Sequence, residues 1–424
     1  MVAVPRGWNK SRRSRNAGRI ERSQRELAGA FAGNAEYRRG VDERRSALAA
    51  RAAEPLIAAL IDLAEARSDA GLEDELCARL GARLAELDDG PVDDQVGPGL
   101  LAEAAICAGA TAVAAALGEP DDGWRSPWRV LTAVAGILPE PLSELAADAI
   151  EGLRERPGGR RLPETIRGPA LSGPVLWARD GYGSRFGIAA AVGPNRWYLW
   201  DIDACGPDAC TVHSGYSATP EQALMRWRAG VGEVAAGATV FAPVDNPELL
   251  ADLLPREQGM LRPGGENVQQ FAEYHRSKRL AEAVLEAFET AGPPPVAGLD
   301  AATAAPRFIA WLRARRAERP LPAGLDEDVF ELAGSWHLSG SAFRYGTCSP
   351  HRVALVVDHV RSHYVGDLAA DLIALLPDWT AWLAELNATA PHLAERCRPY
   401  LQGAPYPGLS RDDSASRYLS RVIE

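Results

Sequence analysis

Asp201 and Asp203 stand two apart at the end of a run of strand-forming residues, and His213 follows in the next such run. Residues two apart on a strand project to the same face, so both carboxylates point one way. If the hairpin joining the runs centres on Pro207, Asp201 faces His213 across the ladder. A carboxylate bonded to an imidazole orients a general base or begins a metal site. The same three residues also suit the solvent face of a half-buried sheet, where acids and histidines are ordinary.

Cys205 and Cys210 flank the same turn, close to His213. Two thiolates and one imidazole leave a structural zinc set a ligand short unless Asp203 supplies it. Free thiols at a hairpin are the simpler expectation. His359 and His363 stand four apart, the helical spacing at which two imidazoles share a metal, with Asp358 and Asp367 nearby and Cys348 and His351 just before them. Val360 occupies the place where a metalloprotease helix carries its catalytic Glu, so this pair reads as the polar edge of an amphipathic helix. Neither group offers four clear ligands, and the expectation is a chain without a bound metal or other cofactor.

A third kind of chemistry lies in the basic arm. Lys10, Arg12, Arg15, Arg19 and Arg22 recur along a segment where Ile20, Leu27 and Phe31 mark an opposite, apolar side. An arginine row on a helix suits phosphate contacts, which give salt-dependent and largely sequence-independent affinity for nucleic acid. The row suits an acidic protein equally well. Residues 1–25 carry eight Lys or Arg against the single acid Glu21, whereas the whole chain has a net charge of −11. A basic arm on an acidic body is the resulting pattern.

Several chemistries find no motif. There is no phosphate-binding loop with its Lys, no dinucleotide fingerprint, no nucleophile elbow and no kinase signature. Gly181-Tyr182-Gly183 reads as a turn between strands.

The elements that must position these residues define an α+β, multi-domain chain. With 424 residues and 46% hydrophobic side chains it can bury sizeable cores without disulfides. Its six scattered cysteines fit a reducing, cytoplasmic setting. No apolar stretch follows Arg12-Arg13 as an export signal would require. The alanine-rich run Ala105 to Leu117 falls short of the roughly 20 residues that span a bilayer, which predicts a buried helix and no membrane partner.

Residues 1–155 read as the arm and a helical domain, with Pro55 in a first helical turn and Ser126-Pro127 opening another helix. After a Gly- and Pro-rich linker at 156–174, a β-meander is predicted over 174–178, 184–192, 196–203 and 210–214. Phe186, Ile188, Ala190 and Val192 alternate there, giving one buried face. Thr219-Pro220-Glu221-Gln222 then caps a helix. The middle domain, 172–290, ends on a trailing helix from about 266, and Gly292 to Pro295 forms a second linker. The remainder, 299–424, reads as a helical bundle with helices over 306–316, 326–333, 350–364, 368–376, 378–386 and 391–400, and Ser349 caps the third.

This organisation suits an intracellular interaction or regulatory protein that engages nucleic acid or an acidic partner through its arm and presents the sheet as a recognition surface. The alternative is a hydrolase-type enzyme or metal-binding protein centred on Asp201, Asp203 and His213. An enzyme needs those three residues gathered in a concave pocket, and a recognition module does not.

Overall fold

The structure, a computed structural model, describes residues 8–88, 91–119, 122–157, 159–163, 171–206, 209–255, 268–288, 299–316, 324–337 and 345–406, and the side chains of 8–34, 88, 92, 160 and 268 are not among those described. The arm side chains Lys10, Arg12, Arg15, Arg19 and Arg22, the turn residue Pro207 and the linker 292–295 therefore lie outside the described residues.

The first region is helical: α1 (Trp8–Ala64), α2 (Asp69–Asp88), α3 (Pro98–Leu117), α4 (Arg125–Ile137) and α5 (Leu142–Arg154). Pro55 does not begin a helix but lies inside α1. Ala52, Ala53, Leu56 and Ile57 around it are all buried in one cluster with Leu76, Leu80, Ile106 and Val134. Apolar burial on that scale, roughly 1.5–3 kcal/mol per large side chain, offsets an interior proline's cost of about 3 kcal/mol. Helix α3 is longer than the apolar run suggests, 20 residues at mean hydropathy 1.9, long and apolar enough to cross a membrane by length and composition. Its Leu101, Ile106, Val113 and Leu117 are nevertheless buried against the neighbouring helices.

The middle region is an antiparallel sheet built from β1 (Val175–Arg179), β2 (Arg185–Gly193), β3 (Arg196–Asp203), β4 (Cys210–Ser217) and the short β5 (Ala242–Pro243) in the order β4-β3-β2-β1-β5. Around it lie α6 (Pro220–Val231), α7 (Glu233–Ala236), α8 (Pro247–Leu253) and α9 (Val268–Phe288). Thr219 caps α6 as the sequence predicts, its side chain accepting from the Gln222 N–H at 3.3 Å.

Both faces of the sheet are covered, not one. Phe186, Ile188, Ala190, Tyr198, Trp200 and Ile202 pack with Leu249, Leu250 and Leu253 of α8 and Leu280, Ala281 and Val284 of α9. On the other face, Ala178, Ala189 and Leu199 pack with Ala223 and Trp227 of α6. The indole of Trp227 lies so close to Gly187 that a Cβ there would sit 2.7 Å from its ring. The alternation hides this second face because β2 offers it only small residues such as Gly187 and Ala189, and an aromatic supplied from outside the sheet fills the space.

Helix α9 does more than trail the sheet. Phe271 belongs to the core of the N-terminal helices, whereas Leu280 and Val284 belong to that of the sheet. Between them, Arg276 pairs with Glu73 at 3.1 Å, with Asp74 at 2.5 Å and with Glu273. Its guanidinium and that of Arg196 lie over the Tyr216 ring, at 4.7 and 3.8 Å from its centroid. The buried imidazole of His275 meets the Pro98 carbonyl at 3.1 Å.

The last region comprises α10 (Ala301–Arg315), α11 (Leu325–His337), α12 (Pro350–His363), α13 (Gly366–Leu386), α14 (Pro391–Glu395) and α15 (Arg398–Leu401) around Phe308, Trp336, Tyr345, Trp379 and Trp382. Helix α10 starts before Pro306, at a capping box formed by Asp300 and Thr303. The segments expected at 368–376 and 378–386 are one helix, α13, with Pro377 inside it. The segment expected at 391–400 divides into two short helices, α14 and α15.

Candidate active site

Three elements converge where the sheet meets the C-terminal helices: the ends of β2 and β3, the turn after β3, and the first turn of α12. Strand β3 delivers the two aspartates, but they part company. Asp201 pairs with Gly187 on one side and His213 on the other, and Asp203 pairs with Arg185 and Cys210. The Asp201–His213 facing is as the sequence predicts, although the ladder reaches it through an irregularity between Asp201 and Ile202, where β4 holds one extra residue.

Asp201 is 1% exposed. It lies beneath α6, where a Cβ on Gly230 would approach its Oδ2 to 2.8 Å. Arg185 grips both of its oxygens, Nε to Oδ1 at 2.7 Å and a terminal nitrogen to Oδ2 at 2.9 Å. Burial alone raises the Asp201 pKa, and the bonds from Arg185 and His213 reverse this, holding the carboxyl below its ordinary value. His213 stands 3.6 Å from Asp201 through Nδ1 and 3.0 Å from Arg226 through Nε2. This cluster is self-satisfied, and neither Asp201 nor His213 lines the cavity described next.

Asp203, one turn of the pleat further on, reaches past the sheet. Its Oδ1 accepts the Cys205 N–H at 2.8 Å, and its Oδ2 lies 2.8 Å from Nδ1 of His351, the second residue of α12. Arg185 is 3.7 Å from the same Oδ2. Burial again works against the charge, but the hydrogen bond and field of His351, followed by Arg185 and the Cys205 N–H, hold the Asp203 carboxyl well below the carboxylate range. The first turn of α12 adds its N-terminal dipole. Ser349 caps that helix by accepting from the Arg352 N–H at 3.2 Å, and its Oγ lies 3.0 Å from the Cys205 Sγ. Arg352 crosses the seam to donate to the Cys205 carbonyl at 3.2 Å. Burial pushes the Cys205 thiol well above its ordinary pKa.

Asp203, Cys205 and His351 border a cavity of about 580 Å³, together with Asp180, Ser184, Arg185, Glu233, Arg396 and Tyr400. That volume suits a small-molecule ligand. The Asp180 carboxyl, desolvated by burial, is raised to about 6 even though it accepts the Ser184 and Arg185 N–H groups. Tyr406 stacks on the His351 ring at 4.6 Å and 10°.

The remaining candidates stay apart from this place. Among the described residues, the one group of His, Cys and acidic side chains close enough to share an ion is Asp203, Cys205 and His351; Cys210, His359 and His363 are outside it. The His359 and His363 rings stack at 4.1 Å, and the His363 Nδ1 turns to the His359 carbonyl at 3.0 Å. His351 was visible in the sequence only as a neighbour of that pair. The available signal was its position just after the Ser349-Pro350 helix start, which fixes an imidazole at the helix's N-terminal end.

No protein-family model, curated protein or solved structure matches this chain. The geometry of the seam carries the functional argument.

Proposed function

We propose that the protein is a hydrolase-type enzyme whose reaction takes place in the seam cavity, with the substrate's scissile group brought to Asp203 and His351. The observation supporting this most directly is that His351, 20% exposed and fixed by Asp203 at 2.8 Å, borders a cavity of about 580 Å³. Hydrolysis requires an activated water, and this pair is where the cavity can activate one. Ser184, Arg185 and Arg396 supply polar groups for orienting a substrate. Asp201 has the supporting task of holding Arg185 in place.

The test is a panel of ester, amide, phosphoester and glycoside reporter substrates offered to the full-length protein. Asp203→Asn and His351→Ala should each lose at least about a hundredfold in turnover of the responsive class, with His213→Ala near wild type. No turnover across the panel, or turnover that survives both substitutions, sinks the proposal.

A second function is supported by α1, which runs unbroken from the basic arm into the helical core. The arm's charge in the sequence, eight Lys or Arg over residues 1–25 against one acid, suits nucleic acid or an acidic protein independently of the cavity.

A further inference from the structure

We infer that Asp203, Cys205 and His351 form a mononuclear site for a zinc-class divalent cation, with its open coordination position facing the seam cavity. This rests on the reading of the cavity as the reaction site and specifies how water is activated there. Candidate ligand atoms from the three side chains all lie within 4.8 Å of one another. One imidazole nitrogen, one thiolate and one carboxylate oxygen is a zinc donor set, and three protein ligands with a fourth position left for water is the pattern of catalytic rather than structural zinc. With bonds of about 2.0–2.3 Å, tetrahedral ligands stand roughly 3.3–3.8 Å apart, so Asp203 and His351, now hydrogen-bonded at 2.8 Å, must part by roughly half an ångström and exchange that bond for the ion, while more widely spaced ligand atoms draw together.

The surroundings fit the ion as well as the ligands do. The Cys205 N–H holds Oδ1 of Asp203, and the Ser349 hydroxyl lies 3.0 Å from the sulfur, the kind of outer support that orients metal ligands. Charge also balances: a divalent ion is neutralised by one thiolate and one carboxylate. Arg185 is bound at both oxygens of Asp201 at 2.7 and 2.9 Å and stands farther, at 3.7 Å, from Oδ2 of Asp203, so Asp201 matches most of its charge. A coordinating thiol is deprotonated outright by its metal, which overcomes the burial that otherwise keeps Cys205 neutral. Its proton passes to solvent. The same chemistry lowers the pKa of a bound water to about 7, placing a hydroxide beside the cavity without requiring His351 to act as a free base.

Cys210 and His213, the partners that the turn suggests from sequence, stay out of the cluster. Cys210 lies on β4 opposite Asp203, and His213 is engaged by Asp201 and Arg226. They therefore serve as internal controls.

The experiment uses the full chain, stripped with chelator and titrated with Zn²⁺ and with Co²⁺. The expected result is one ion per chain and a thiolate-to-cobalt charge-transfer absorption. Cys205→Ser should abolish the absorption, and His351→Ala should weaken binding at least about tenfold. Cys210→Ser and His213→Ala should leave both unchanged. Circular dichroism of each variant establishes that it has folded, and Asp203→Asn provides a further ligand variant if one does not. The inference is overturned by sub-stoichiometric binding to the wild-type chain, or by equal affinity in folded Cys205→Ser. If Zn²⁺ fails to bind while Asp203→Asn still abolishes turnover, the metal site falls and the hydrolase stands. If Zn²⁺ binds but no substrate class is turned over, the site stands and the hydrolase falls.

Discussion

Asp201 and Asp203 occupy the same face of the same strand, yet one is sealed and the other borders the cavity. Asp201 sits beneath α6, 1% exposed, with both oxygens held by Arg185. Asp203 lies where β3 outruns the covering helix, and its carboxylate turns to His351 from a different part of the chain. Two residues of strand, roughly 7 Å, separate a structural ion pair from a group that can meet a ligand. Depth beneath the neighbouring helix, rather than residue type or face, decides which is which.

The largest effect expected from this contrast is on stability. Asp201→Ala leaves the buried Arg185 charge with only its longer, 3.7 Å pairing to Asp203 and should cost about 3 kcal/mol, read from urea unfolding. A loss below about 1 kcal/mol would mean that Asp201 is not the closed site described. Acid titration should come next. His275 is buried and its pKa depressed to about 4 from 6.5, so stability falls as pH drops through that window, because the unfolded chain takes the proton first. Asp180 is raised to about 6 from 3.8, so the folded chain keeps its proton longer and stability falls as pH rises through that range. The two oppose one another, each by about 3 kcal/mol at most. Asp180→Asn keeps an oxygen for the Ser184 and Arg185 N–H groups and should leave the His275 slope exposed: stability rising steadily from pH 4 to 6.5, against a flatter wild-type profile. Equal profiles would contradict the burial of Asp180.

Asp203→Asn keeps the oxygen that meets His351 and should cost only about 1–2 kcal/mol, well under Asp201→Ala, while removing the activity of the cavity. Equal destabilisation by the two substitutions would erase the distinction between them. Deleting residues 1–25 should leave the melting temperature unchanged and abolish salt-sensitive retention on nucleic acid or an acidic support. Retention by the truncated chain would remove the arm from consideration.

Much of the fold can be read locally. Strand β3 has the bounds that its β-formers predict, and Thr219 and Ser349 cap the helices they precede, because strand alternation and capping depend on neighbours in the chain. Prolines mislead where tertiary packing outweighs local preference, as at Pro55 in α1 and Pro377 in α13. Of the candidate site, Asp203 and Cys205 were visible, and so was the facing of Asp201 and His213. What no spacing reveals is that His351, 148 residues away, and not His213, meets Asp203 at the cavity. Nor does any local pattern show that α6 closes over Asp201. Both depend on how separate regions dock.

Helix α9 gives the molecule a schedule as well as a shape. The N-terminal helices end at Arg154, but the helix that completes their packing beside α2 ends only at Phe288. At a synthesis rate of about 5–20 residues per second, the ribosome takes on the order of ten seconds to supply it. During that interval the side of α2 around Glu73, Asp74 and Cys77 has neither Arg276 nor the rest of α9 to cover it. The nascent first region therefore lacks that part of its packing until the sheet has been made.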